Sequence, residues 1–212
     1  IARTGPLTIA EFMAECLLHP AHGYYTRRDP LGRAGDFITA PEISQMYGEL
    51  LGLWLAQVWM DQGAPGDVVL VELGPGRGTL MADALRATAT VPGFHDALRL
   101  HLVEASPRLR EAQAALLAPH EPQFHDGLDT VPDGPLLLLA NEFFDALPIR
   151  QFQRATGTAW RERVVGVEDG DLVIGLAPPA PIAALEGRLA DTSEGQVVEI
   201  CAPAEAVASE IG

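Results

Sequence analysis

Lysine is absent from this 212-residue chain, so all 14 of its basic residues are arginine. This excludes a P-loop lysine, a lysine Schiff base and a lysine general base. Cysteine is scarce, and Cys16 and Cys201 lie far apart without a C-x-x-C pair, so we expect reduced thiols in a reducing compartment. No apolar run is long enough to span a bilayer, and no secretory or transit pattern opens the chain.

Acidic residues outnumber basic ones by 29 to 14, which gives a net charge of −15. Apolar residues make up 48% and charged residues 20%, which is typical of a folded globular protein. Because such a surface repels phosphate backbones, nucleic acid is not expected as a partner, and a cationic, Arg-bearing partner is favoured.

The first 66 residues predict a helical region. Thr8 and Glu11 have the spacing of a capping box, and a second helix is expected to start after Thr39 or Ala40 and to run to about Gln62. The predicted buried stripe of that second helix is Ile43, Tyr47, Leu50, Leu51, Trp54 and Val58.

Residues 67–148 alternate short apolar runs with helical segments. Segments at 68–71, 100–103, near Phe124 and at 136–140 predict strands, and those at 68–71 and 136–140 are expected to be buried on both faces. This alternation indicates an α/β fold with a Rossmann-like, doubly wound and mostly parallel sheet. Residues 149–195 predict a β-hairpin insertion that could form a substrate or partner surface, and residues 196–212 are expected to return to the core. With few strands found, the sheet is predicted to be incomplete at the C-terminus.

A glycine-rich segment, ELGPGRGT at 72–79, lies between the first strand of the predicted sheet and the next helix. Open α/β sheets bind ligands at this position, although the same pattern could be a tight turn without a ligand. A dinucleotide fingerprint needs Gly or Ala at position 79, and Thr79 disfavours a nicotinamide dehydrogenase. Gly74, Gly76 and Gly78 with Glu72 before them are typical of S-adenosylmethionine sites.

Acidic residues follow the next two strands. Glu104 ends the second strand, where it could accept hydrogen bonds from both ribose hydroxyls or remain a solvated acid. Asp126 follows the third strand and could bind the adenine amino group, although a plain Asp-Gly turn explains it equally well.

The segment NEFFDALP at 141–148 follows the fourth strand. Glu142 could hold a guanidinium or help to remove a proton when nitrogen is alkylated. Asn141 and Asp145 could share this chemistry or cap a short helix. The spacing of Cys16, His19 and His22 could indicate a metal site, but Pro20 separates the histidines, so we expect no metal and a buried thiol at Cys16.

Three motifs together resemble the MidA-like family of class I S-adenosylmethionine-dependent methyltransferases. They are GDFITAPEIS at 35–44, ELGPGRG at 72–78 and NEFFDALP at 141–148, and His19-Pro20 with Gly23-Tyr24-Tyr25 fits the same pattern. The resemblance implies methylation of a protein arginine, complex I assembly in mitochondrial members, and a location in the cytoplasm of a bacterium or in the matrix of a mitochondrion.

The resemblance also implies a cofactor site at Gly74, Gly76, Gly78 and Glu104, with residues 36–42, including Thr39, closing over the methionine end. Asn141 and Glu142 would lie near the transferred methyl group. An Arg-bearing protein substrate and a second copy of the chain are the expected partners, without membrane insertion. The alternative function is an assembly factor that retains the cofactor pocket but catalyses nothing.

Overall fold

The computed structural model describes residues 1, 4–19, 21–24 and 39–212. These residues fall into two compact units, one made of residues 39–146 and the other of the described residues before 25 together with 147–212. The α-helices are α1 (Ile9–Leu18), α2 (Ala40–Ile43), α3 (Gln45–Asp61), α4 (Thr79–Thr88), α5 (Phe94–Ala97), α6 (Pro107–Leu116) and α7 (Ala202–Ile211). The strands are β1 (Leu7–Thr8), β2 (Val68–Leu73), β3 (Leu98–Val103), β4 (Gln123–His125), β5 (Leu136–Leu139), β6 (Arg150–Arg154), β7 (Trp160–Glu168), β8 (Asp171–Leu176) and β9 (Val197–Ile200).

The unit of residues 39–146 contains a parallel sheet in the order β4-β3-β2-β5. Its strands lie where the apolar segments of the sequence predicted them. Residues such as Leu70, Leu102 and Leu137 are buried in a core with side chains of α3, α4 and α5. The chain passes from β2 to β3 on one side and later to β5 on the other side. Ligand sites in such sheets lie at the carboxyl ends of the strands where the order reverses, which here is beside β2.

The helix predicted from position 40 to about 62 is two helices in the structure. Ser44 has extended backbone angles (φ −144°, ψ 116°), and it separates α2 from α3. The predicted buried stripe was partly wrong, because Ile43 and Trp54 are 71% and 58% exposed and Leu50 is also exposed. The face of α3 that is buried carries Gly48, Gly52, Leu55, Ala56 and Trp59.

Small residues on α3 explain this difference. A Cβ atom on Gly52 would lie only 2.5 Å from the carbonyl oxygen of Ala84 on α4. The backbones of the two helices therefore approach closely only because Gly52 has no side chain. Hydrophobicity alone favours the larger residues of a helix. It does not reveal a face of small residues that is buried because two helix backbones approach closely.

The second unit contains an antiparallel sheet in the order β1-β7-β6-β9, with β8 paired to β7. The predicted hairpin is confirmed as β7 and β8. A hydrophobic core of this unit is formed by the buried side chains of Phe152, Trp160, Leu185 and Val198.

Two predicted boundaries differ from the structure. Residues 196–212 were expected to return to the parallel sheet, but β9 pairs with β6 in the antiparallel sheet. The first 66 residues do not form one region, because α1 belongs to the unit of the antiparallel sheet and α3 to the other unit. Strand β6 was not predicted, since its sequence RQFQR carries only one apolar residue.

Candidate cofactor and active site

The turn between β2 and α4 is built from glycines in left-handed conformations. Gly74, Gly76 and Gly78 have φ values of 61°, 57° and 82°, which other residues adopt only with strain. Gly78 is the N-cap residue of α4 and has no side chain to cap the first turn of this helix. The free N–H groups at this helix start can therefore bind an anionic group such as a carboxylate.

The loop after β5 packs directly against this glycine turn. A Cβ atom on Gly74 would lie 3.0 Å from Cδ2 of Phe143, so the absence of a side chain at Gly74 makes room for the phenylalanine ring. The structure thus brings the glycine turn and the 141–145 segment together at one edge of the sheet.

Glu104 follows β3 at the same edge and is 8% exposed. Its Oε1 accepts the backbone N–H of Ser106 at 2.8 Å, and its Oε2 accepts Nε2 of Gln113 at 3.3 Å. Burial raises the pKa of Glu104, while these hydrogen bonds and the charge of Arg110 lower it. Glu104 is therefore buried, and the alternative of a solvated acid was wrong.

Glu72 is the penultimate residue of β2, beside the turn, and is 2% exposed. Burial and the nearby Glu104 raise the pKa of Glu72 to about 8. Its Oε2 atom has no hydrogen-bond partner in the part of the chain that the structure describes. Glu72 is therefore largely protonated at neutral pH, and a cationic group placed beside it would favour its ionised form. Such an acidic group fits a ligand that carries an ammonium and a sulfonium.

The buried Glu72 predicts an unusual dependence of stability on pH. Between its ordinary pKa and about 8 the native state holds a proton that the unfolded state has lost, so the free energy of unfolding falls as pH rises through this range. We expect Glu72→Gln to remove this loss. The melting temperature of the variant minus that of the wild type should therefore increase from pH 5 to pH 8.5. The control is Glu111→Gln at an exposed position of α6, which should leave the wild-type profile unchanged; a parallel profile for Glu72→Gln would contradict the assignment.

Asp126 lies next to Glu104 in the backbone, because the N–H of Glu104 donates to the carbonyl of His125. Its side chain is 94% exposed and pairs with Arg110. Arg110 also donates to the carbonyl oxygens of Glu104 and His125. The ion pair thus holds Asp126 at the carboxyl edge, and its adenine-binding role stays a prediction.

The segment after β5 carries the predicted catalytic residues. Tyr47 on α3 donates its hydroxyl to Oδ1 of Asn141 at 2.8 Å, so this amide is oriented by a second element. Glu142 has a φ of 51°, an uncommon conformation for a residue with a side chain, and such strain is concentrated at functional sites. Asp145 lies in the short 3₁₀ helix Phe144–Ala146.

Helix α2 is bound to the glycine turn by polar contacts. Thr79 donates its hydroxyl to Oε1 of Glu42 at 2.7 Å, and Nη1 of Arg77 lies 3.8 Å from Oε2 of Glu42. Thr39 precedes α2, and its carbonyl accepts the N–H of Glu42 at 2.9 Å. Residues 36–38 of the predicted closing segment lie outside the described residues.

A family model described as "Putative S-adenosyl-L-methionine-dependent methyltransferase" matches residues 50–212. The chain belongs to this methyltransferase family. The resemblance drawn from the motifs is thereby confirmed.

The relatives in this methyltransferase family are longer than this chain. The chain is 40% identical over 238 residues to the human protein arginine methyltransferase NDUFAF7, mitochondrial, and the match covers 100% of this chain and 53% of that protein. The corresponding Danio rerio protein is 38% identical over 236 residues, at 100% and 56% coverage. The chain thus spans about half the length of the curated relatives it matches.

A solved structure is similar to this chain in fold. A COG1565 superfamily member from Burkholderia thailandensis, bound to S-adenosyl-homocysteine, matches with a TM-score of 0.79 and 29% identity, covering 99% of this chain and 56% of that one. The predicted Rossmann-like class of fold is confirmed by this match and by the parallel sheet.

Sequence reasoning missed two residues of the site. Tyr47 was assigned only to packing. Gln113 was not considered, although it follows the buried Leu109 by four positions and precedes the buried Leu117 by four. A polar residue in the middle of an apolar stripe is the signal that could have revealed it.

The candidate metal residues are arranged differently from a metal site. Nδ1 of His19 accepts the N–H groups of Ala21 and His22 at 3.1 Å each, so it stabilises the turn after α1. Cys16 is exposed beside Glu15, and the prediction of a buried thiol was wrong. Within the described ranges, no group of three or more His, Cys, Asp or Glu side chains could hold a metal, and no helix is long and apolar enough to cross a membrane.

Proposed function

We propose that this chain forms the cofactor-binding part of an S-adenosylmethionine-dependent methyltransferase that acts on arginine in a protein. The observation that carries the proposal is the buried Glu104 beside the left-handed glycine turn, together with the buried Glu72 near the end of β2, whose Oε2 atom has no hydrogen-bond partner among the described residues. The turn and α4 offer N–H groups to an anion, and the two acids lie where hydroxyl and cationic groups are expected.

The residues divide the work of binding as follows. Gly74, Gly76 and Gly78 leave room for the methionine end of the cofactor, and Thr39 closes over that end. Glu104 accepts the ribose hydroxyls, and Asp126 accepts the adenine amino group. Glu72 faces the cationic part of the ligand.

The 141–145 segment supplies the groups for the acceptor. When bound, S-adenosylmethionine supplies a methyl group on a positively charged sulfur. Glu142 and Asp145 offer carboxylates that can hold a guanidinium by paired hydrogen bonds, and Glu142 takes up the proton that the nitrogen loses. Asn141, which Tyr47 orients, fixes the acceptor nitrogen for in-line transfer.

Arginine is the proposed acceptor for two reasons. Curated relatives carry the name protein arginine methyltransferase, and a net charge of −15 attracts a basic substrate. A subunit of respiratory complex I is the proposed substrate, as the family resemblance implies. The proposed location is the mitochondrial matrix, since those relatives are named as mitochondrial, or the cytoplasm of a bacterium. Self-association of the chain stays a prediction.

Calorimetric titration tests the cofactor directly. We expect S-adenosylmethionine and S-adenosyl-homocysteine to bind with one site per chain, and NAD to give no heat beyond dilution. Mass spectrometry of the purified protein should identify an adenosyl sulfur compound if one is retained. Binding of NAD without binding of either sulfur ligand would overturn the proposal.

A further inference from the structure

Gln113 lies beneath the glycine turn and is fully buried on α6. Its Nε2 atom donates to the carbonyl oxygen of Gly76 at 2.6 Å and to Oε2 of Glu104 at 3.3 Å. Its Cγ atom would lie 3.5 Å from a Cβ atom on Gly78. One side chain thus contacts both parts of the candidate cofactor site.

The chemistry of this contact requires an amide. Gly76 and Glu104 both present oxygen acceptors, and an –NH₂ group has one N–H for each of them. Methionine would fill a similar volume without donating. Glutamate would offer only acceptors when ionised and would place a third carboxylate near Glu72 and Glu104. The Oε1 atom of Gln113 has no hydrogen-bond partner in the described part of the chain, which destabilises the fold. The favourable contribution of the amide therefore comes from its two N–H donors.

We propose that Gln113 is a positioning residue that fixes the distance between the glycine turn and the Glu104 carboxylate before the cofactor binds. This inference rests on the proposed function, since it takes the turn and Glu104 to be the groups that hold the ligand. Gln113 acts through Gly76 and Glu104 and needs no contact with the ligand. Holding both groups in place in advance lowers the cost of ordering them on binding.

The dependence of binding on pH separates positioning from packing. Glu104 is faced by Glu72 from β2, by Arg110 and Gln113 from α6, and by the N–H of Ser106. The hydrogen bond from Gln113 lowers the pKa of Glu104, which burial raises. Without that bond, more of Glu104 is protonated at low pH and cannot accept two ribose hydroxyls.

The experiment is calorimetric titration of S-adenosyl-homocysteine into wild type, Gln113→Met and Leu109→Ala at pH 6 and pH 8. We expect Gln113→Met to raise the Kd about tenfold or more at pH 8, as for loss of a hydrogen bond to a charged group, and further at pH 6. Leu109→Ala removes a buried side chain from the same helix. It should lower the melting temperature and keep the wild-type ratio of the two Kd values.

Gln113→Glu provides a second variant of the same size if Gln113→Met does not fold. Its binding should be lost at pH 8 and should recover toward pH 6, where the introduced acid regains one donor. Wild-type affinity at both pH values in either folded variant overturns the inference alone. Absence of binding to the wild type overturns the proposed function and this inference with it.

Discussion

Glu142→Gln is expected to reduce methyl transfer by at least about 100-fold while changing the Kd for S-adenosyl-homocysteine by less than about twofold. The amide keeps the size of the side chain and the left-handed backbone, but it can neither take up a proton nor pair ionically with a guanidinium. Glu142 lies in the loop after β5, outside the glycine turn and the Glu104 network, so the cofactor groups should remain in place. The measurement is transfer of radiolabelled methyl from S-adenosylmethionine to a complex I preparation, with calorimetry in parallel.

The matched control is Glu121→Gln. Glu121 also has a left-handed backbone (φ 48°), but it follows the 3₁₀ helix Ala118–His120 and is exposed. It should retain wild-type transfer. Unchanged transfer in Glu142→Gln would remove this residue from the mechanism. A wild type that binds S-adenosyl-homocysteine and methylates nothing would favour the alternative of a non-catalytic assembly factor.

The parallel sheet and its turn could be predicted from the sequence because their signals are local. Strands β2 and β5 contain continuous apolar runs, and the glycines at 74, 76 and 78 mark a turn that other residues form only with strain. Glu104 and the 141–145 segment then followed from their positions after strands, since the carboxyl ends of parallel strands share one edge.

The remaining features depend on contacts between distant segments. Strand β9 was assigned to the wrong sheet because a four-residue strand carries no information about its partner. The buried face of α3 depends on the approach of α4 at Gly52, and the role of Tyr47 depends on Asn141, 94 positions away. The distance from Gln113 to Gly76 could be found only from the fold.

Gly74→Ala is expected to weaken binding of S-adenosyl-homocysteine and to lower methyl transfer, each by about tenfold or more. The added Cβ atom would lie 3.0 Å from the ring of Phe143, so the ring must shift. Phe143 directly follows Glu142, and a displaced ring moves both the lining of the turn and the proposed catalytic carboxylate. The shift needed at this contact is a few tenths of an ångström, and since misplacement by about 1 Å can cost 100-fold in rate, we expect the smaller loss of about tenfold.

Gly63→Ala separates this contact from backbone strain. Gly63 also has a positive φ (84°), but nothing lies within 4 Å of a Cβ atom there. Both variants should lose roughly 1–2 kcal/mol of stability from the left-handed backbone, whereas only Gly74→Ala should lose binding and transfer. Adding Phe143→Ala to Gly74→Ala creates space and should recover part of the affinity. Equal affinity in the two alanine variants would show that the turn at Gly74 is not where the ligand is held, because the steric change differs between them while the backbone strain is shared.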